Sequence, residues 1–104
     1  MQLPLKPTLQ PYTSELLNKI HPYKDVDCLS SINRYALLDQ QNPNLLPCTP
    51  AAVLTILDEY GINVQGKKVV IVGRSNLVGL PLFHLLLNRN ATITLCHIHT
   101  ENLG

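Results

Sequence analysis

Val69, Val70, Ile71 and Val72 form a β-branched run without a polar break, the pattern of a strand buried on both faces of a parallel sheet. A helix-compatible apolar segment follows from Leu80 to Leu87, and Thr92 to Cys96 reads as a second strand. Two parallel strands joined by a crossover helix make the βαβ unit that binds nucleotides. The pattern therefore predicts an α/β chain whose second half is a partial Rossmann-like unit. Upstream, Leu3 to Leu5 fit the end of a strand, broken by Pro7 and Pro11. Thr13 or Ser14 is expected to cap a short helix running to Ile20, with Leu16, Leu17 and Ile20 on one face and Pro22 as its stop. Tyr23 to Pro47 has little periodicity and predicts a long functional loop with room for one helical turn. Thr49 is the expected cap of a helix beginning at Pro50. Its face carries Val53, Ile56, Leu57 and Tyr60, and Gly61 ends it.

The turn after the first strand has the form G-x-S-x-x-x-G-x-P, from Gly73 to Pro81. Gly73 suits a sharp strand exit where a Cβ would crowd the turn. Ser75 can cap the helix or donate to a phosphate oxygen. Gly79 lets the first helical turn lie close to the strand or a cofactor, and Pro81 is tolerated where N–H groups lack intrahelical partners. Arg74 supplies a planar cation suited to a phosphate ester. The same residues also fit an ordinary strand-to-helix turn with a solvated arginine.

With 104 residues, 45% of them hydrophobic and 14% charged, and a net charge of +1, the chain has a soluble, globular composition. It lacks the basic excess of a nucleic-acid binder. Three cysteines without a C-x-x-C pair argue against a disulfide framework and for a reducing compartment. There is no signal-peptide pattern and no apolar run near the roughly 20 residues a membrane span needs. A cytoplasmic location is expected, with a removed mitochondrial presequence left open.

Asp25 and Asp27 flank Val26 in the long loop. A loop carboxylate there suits an amidine-like edge, such as a pterin's 2-amino group and ring N–H. An Asx-turn pair accounts for the same spacing. Cys96, His97 and His99 invite a metal, but no second ligand pair has suitable spacing and none is assigned. His84 is expected to be an exposed break in the apolar helix, and Cys48 to serve packing.

Several blocks together resemble the bifunctional methylenetetrahydrofolate dehydrogenase/methenyltetrahydrofolate cyclohydrolase family. Gln2-Leu3-Pro4-Leu5 is similar to its V-Q-L-P-L strand end, Lys24-Asp25-Val26-Asp27 to its K-D-V-D-G loop, and Pro47-Cys48-Thr49-Pro50 to its P-C-T-P linker. The Gly73 turn and Ala91-Thr92-Ile93-Thr94-Leu95-Cys96-His97 follow in the family's order. The resemblance implies that 1–46 is the end of a folate-binding catalytic domain and 47–104 the first part of an NAD(P)-binding Rossmann domain. It implies oxidation of 5,10-methylenetetrahydrofolate with NADP to 5,10-methenyltetrahydrofolate, then hydrolysis to 10-formyltetrahydrofolate.

In that frame Asp27 is the pterin-binding aspartate. Gln2 and Asp27 are the retained catalytic-site residues, Gln2 and Leu3 line the folate pocket, and Asp25 is structural. Gly73, Arg74, Ser75 and Gly79 hold NADP, which Arg74 favours over NAD. Two departures stand out. Cys28 replaces the loop's glycine, at a position suited to positive φ. Ile98 replaces a polar contact to the 2′-phosphate. No tyrosine is followed by lysine in the family's Y-x-x-x-K pattern, so the general-base lysine is absent. The expectation is a truncated member that is inactive when isolated, with a folate as substrate and no nucleic-acid or membrane partner. A homodimer or pairing with a full-length homologue is left open, and a non-catalytic interaction fragment is the alternative. Apolar faces, Leu85 to Leu87 among them, should leave the isolated chain marginally stable or prone to associate.

Overall fold

The computed structural model describes residues 3–38 and 46–102. Strand β1 (Lys68–Val72) and strand β2 (Thr92–Cys96) are adjacent and parallel. The adjacency and direction are those the apolar runs predict, and the register runs from Lys68 opposite Thr92 to Val72 opposite Cys96. Helix α4 (Gly79–Asn88) connects them and packs on both. Side chains alternate between the faces of a strand. Val69, Ile71, Ile93 and Leu95 therefore share the face that packs into the core with Leu85 and Leu86 of α4.

The opposite face corrects the expectation of a doubly buried strand, because Val70 and Val72 are 63% and 67% exposed. A β-branched run matches either case, and among the described residues the sheet has two strands and helices on one side only. The exposed apolar helix surface expected at Leu85 to Leu87 is corrected too. Leu85 and Leu86 are buried, and Leu87 alone is exposed.

Helix α3 (Cys48–Glu59) packs against α4. It starts two residues before the expected Pro50, with Pro47 rather than Thr49 at its N-cap; the Ala51 N–H closes its first turn on the Pro47 carbonyl at 2.9 Å. Its buried stripe is Pro50, Leu54 and half-buried Leu57 at i, i+4 and i+7, with Val53 half-buried beside it. Ile56 and Tyr60, assigned above to that face, are exposed. The rotation follows from where α4 lies, which local periodicity does not encode. Gly61 does end the helix, at φ +66°. Its N–H bonds the Asp58 carbonyl and the Ile62 N–H bonds that of Leu57, the paired bonds of a Schellman stop.

The first half is more helical than predicted. Leu3 to Leu5 form no strand. A 3-10 turn (Gln10–Tyr12) runs into α1 (Thr13–Asn18), which buries Leu17. Thr13 is not a cap: its hydroxyl donates back to the Gln10 carbonyl at 2.7 Å, and Tyr12 holds the N-cap position. A second 3-10 turn (Pro22–Lys24) leads to α2 (Ser31–Leu38), a two-turn helix inside the segment expected to be a loop. It packs on α4, and the Asn88 side chain donates to the Leu37 carbonyl at 3.1 Å. One core cluster joins the halves, from Cys28 and Leu37 through Leu54 and Val64 to Ile71 and Leu85. Among the described residues no helix is long and apolar enough to cross a membrane.

Candidate functional site

The turn between β1 and α4 is built by its two glycines in different ways. Gly73 has φ +122°, a conformation that L side chains rarely adopt. Its N–H donates to the Cys96 carbonyl at 2.7 Å, which ties the turn to the end of β2 as well. A Cβ at Gly73 would meet nothing within 4 Å, so backbone conformation, not the crowding expected above, calls for glycine there. Crowding is the reason at Gly79. A Cβ at that buried residue would run into the Gly73 carbonyl oxygen and lie 2.7 Å from its carbon and 2.9 Å from the Arg74 Cα. The first turn of α4 thus rests directly on the Gly73–Arg74 backbone.

Ser75 resolves toward a cap. Its Oγ accepts from the Val78 N–H at 3.1 Å and the Gly79 N–H at 3.5 Å. That leaves the hydroxyl proton to donate outward. Pro81 is the third residue of α4, where its missing N–H forfeits no intrahelical bond. Arg74 is exposed on this turn.

The second component is the loop from Asp25 to Ser30. Asp25 is 4% exposed, and its carboxylate accepts from the Leu29 N–H at 2.9 Å, the Ser30 N–H at 2.7 Å and the Asn33 amide at 3.0 Å. Burial pushes its pKa up, but the Leu29, Ser30 and Asn33 donors together hold it below its ordinary 3.8. A depressed carboxylate pKa contributes stability that is complete above the unfolded value and lost as pH falls through the folded one. Asp25→Asn is therefore expected to lower stability at pH 7 by about 1.5–3 kcal/mol, the range for hydrogen bonds to a charged group. It should also flatten the decline between pH 5 and pH 2. Urea midpoints across that range check both, and an unchanged acid limb would count against this role for Asp25.

Cys28 has φ +57° and a fully buried side chain, so it carries the positive φ anticipated where the family motif has glycine. The left-handed conformation costs a non-glycine residue on the order of 1–2 kcal/mol. The Arg34 Nε holds the Cys28 carbonyl at 2.6 Å. Burial pushes the thiol up to about 11, with Arg34 opposing and Asp25 reinforcing, so Cys28 stays a thiol at neutral pH.

Asp27 is exposed, and it lines a cavity of about 520 Å³. The Gly73–Gly79 turn contributes Leu77 and Val78 to this cavity, the start of α3 contributes Pro47, Cys48 and Thr49, and Leu3 and Leu29 complete it. The fold thus brings together Leu3, Asp27 and the far side of the Gly73–Gly79 turn. Gly73, Arg74, Ser75 and Gly79 do not line the cavity, and Gln2 lies outside the described residues. Cys48, expected to pack, is exposed on the cavity wall. Leu77 and Val78 lie inside the Gly73–Pro81 turn without an assigned role of their own; Leu29 carries no chemical signal, and its place two residues after Asp27 is what could have flagged it.

His84 is half-buried rather than an exposed break. With Arg34 and Tyr35 it lines a neighbouring groove of about 430 Å³ that shares Leu3 and Leu29 with the Asp27 cavity; burial and the Arg34 charge lower its pKa. After β2 the loop closes on itself. The His97 N–H donates to the Thr100 Oγ1 at 2.8 Å and the His99 N–H to the His97 Nδ1 at 3.2 Å. Ile98 is exposed between them. Among the described residues no three His, Cys, Asp or Glu side chains are placed to share a metal.

Residues 47–104 match the tetrahydrofolate dehydrogenase/cyclohydrolase family, NAD(P)-binding domain. The chain belongs to this family. It is 47% identical to the bifunctional protein FolD of Methanosarcina acetivorans over 99% of its own length and 36% of the relative's. Among solved structures it is similar to the methylenetetrahydrofolate dehydrogenase-cyclohydrolase of Trypanosoma brucei, complexed with NADP cofactor and inhibitor. The TM-score is 0.87 at 42% identity, covering 96% of this chain and 33% of that one. The bifunctional FolD enzyme of Campylobacter jejuni gives a TM-score of 0.84 at 40% identity, covering 97% and 35%. The chain therefore spans about a third of the length of the tetrahydrofolate dehydrogenase/cyclohydrolase members it matches.

Proposed function

We propose that the chain supplies part of the folate and NADP sites of an enzyme of one-carbon metabolism. That enzyme oxidises 5,10-methylenetetrahydrofolate to 5,10-methenyltetrahydrofolate and hydrolyses the product to 10-formyltetrahydrofolate. The observation that carries this reading is the shared cavity. Hydride transfer requires the donor carbon and the acceptor ring to be held in line at close range. Here Asp27, the candidate pterin anchor, and Leu77 and Val78 of the candidate cofactor turn line one space.

NADP, when bound, supplies the hydride acceptor. The residues present suit it: the glycine turn lies at the carboxyl end of β1, the N-terminus of α4 favours negative charge, and the Ser75 proton is free to donate. Arg74 stands exposed on the same turn, where a guanidinium can pair with the 2′-phosphate. Asp27 would accept from the 2-amino edge of the pterin, with Leu3 on the same cavity wall. Three free cysteines support a reducing, cytoplasmic setting. The exposed Val70 and Val72 support pairing with a second polypeptide, either a copy of this chain or a longer homologue.

Arg74→Ala is expected to weaken NADP binding about tenfold, the loss of one charge-assisted contact at an exposed site, and to leave NAD nearly unchanged. Equilibrium dialysis with both dinucleotides tests the reading. Equal losses would show that Arg74 does not read the 2′-phosphate, and no binding of either by the unmodified chain would remove the cofactor site.

A further inference from the structure

The Asp25–Ser30 loop is closed by more bonds than a surface loop of its length requires. The Asp25 carboxylate takes the Leu29 and Ser30 N–H groups and the Asn33 amide. The Asp25 carbonyl takes the Cys28 N–H at 3.0 Å. The Asn33 amide also reaches the Pro22 carbonyl at 2.9 Å, and the Arg34 Nε grips the Cys28 carbonyl. Asn33 is 2% exposed, so α2 turns a polar side chain inward to serve this loop while Ile32 and Tyr35 face out. Burying an amide and a carboxylate is unfavourable unless they are hydrogen-bonded, and here the Asn33 Nδ2 and both Asp25 carboxylate oxygens are. What the bonds leave out is Asp27, at the apex, exposed and on the cavity wall.

We propose that Asp25, Asn33 and Arg34 are positioning residues for Asp27. They hold the loop in the one conformation, with Cys28 at positive φ, that presents the Asp27 carboxylate to the 2-amino edge of a bound folate. This rests on the folate reading above. Asp25 closes the loop's backbone, Asn33 ties that closure to the chain before it, and Arg34 fixes the carbonyl immediately after Asp27. A carboxylate that recognises a planar N–H edge must be held in direction as well as place. Asp27 sits between these fixed points.

The test is a discrimination ratio. The ¹⁵N-labelled 104-residue chain is titrated by NMR with 5-formyltetrahydrofolate and with its 2-desamino analogue, which lacks the hydrogen-bonding edge. The unmodified chain is expected to prefer the 2-amino compound about tenfold, the value of one hydrogen bond to a charged group. Asp27→Asn should reduce the ratio to near one. Asp25→Asn should do the same in a chain whose spectrum remains dispersed. Asn33→Ala and Arg34→Lys, which each remove a smaller part of the clamp, keep the test decisive if Asp25→Asn fails to fold. A purely structural role would weaken both ligands by one factor and leave the ratio intact, and that result in the clamp variants would overturn the proposal alone. No preference in the unmodified chain would instead overturn the folate reading at Asp27, and the positioning role with it.

Discussion

Replacing Gly79 by alanine is expected to cost about 3 kcal/mol, the upper part of the range for overpacking a filled interior. It should also disorganise the Gly73–Gly79 turn. A single methyl group has this effect because of what it would strike. The new Cβ would meet the Gly73 carbonyl and the Arg74 Cα, which are backbone atoms that no rotamer change can move aside. Gly73 is meanwhile bonded to the Cys96 carbonyl, so the turn cannot retreat without breaking its tie to β2. The remaining escape is for α4 to lift from the turn, which breaks the Ser75 cap and loosens the packing of Leu85 and Leu86. For a chain of this size, with total stability of roughly 5–15 kcal/mol, such a loss is a large fraction. Gly73→Ala serves as the comparison: it has open space for a Cβ and suffers only from φ +122°. Urea unfolding should rank Gly79→Ala as the more damaging, with altered amide shifts from Gly73 to Leu80. A Gly79→Ala chain within about 0.5 kcal/mol of wild type, the usual spread of surface substitutions, would show that the close approach is not maintained in solution.

The second half was legible in sequence because its apolar runs are dense and bounded. Val69 to Val72 and Thr92 to Cys96 became the two strands, and Leu80 to Leu87 falls within α4. What the run of valines did not disclose is that one of its faces is bare, since periodicity reports side-chain character and not what lies opposite. Helix α2 escaped for a sharper reason. Ile32, Tyr35 and Leu38 are exposed, and its inward positions are Asn33 and Leu37, so its apolar pattern and its buried face do not coincide. Its start carries an ordinary serine cap, the Ser30 Oγ accepting from the Asn33 N–H at 3.5 Å. The Leu29 and Ser30 N–H groups just before it, however, are taken by Asp25, upstream in the loop, which no periodicity records. At the candidate site, the motif blocks located Asp27 and the Gly73 turn, and Cys28 was flagged by the glycine it replaces. The cavity between them depends on α3 starting at Cys48. A proline N-cap gives little warning of that start, since serine, threonine, aspartate and asparagine are the usual signals.

The 104-residue chain on its own is expected to show no cyclohydrolase turnover and dehydrogenase turnover at least about a thousandfold below the common kcat range of 1–10³ s⁻¹. Cyclohydrolysis needs a positioned base to move a proton. Among the described residues the cavity that holds Asp27 is lined by no lysine and no histidine, and Asp27 is its only ionisable carboxylate. Hydride transfer needs less chemistry but more geometry, since both reacting partners must be gripped on every side to be held in line. Here the cavity is open, and among the described residues the sheet beneath the Gly73 turn has two strands with Val70 and Val72 uncovered. Two strands and one helical layer bury little surface to hold a cleft rigid, and the bare valines favour association of the chain over a stable monomer. The assay is NADPH absorbance with 5,10-methylenetetrahydrofolate, using chain freed of host enzyme, alongside sedimentation at two protein concentrations. Adding a longer homologue whose own folate domain is intact but whose cofactor turn is disabled provides the contrast, because pairing would complete the cleft and raise the rate. Steady NADPH formation by the chain alone would mean that Asp27, Leu3 and the Gly73 turn suffice to align the two carbons, and that the bare sheet face is no obstacle to catalysis.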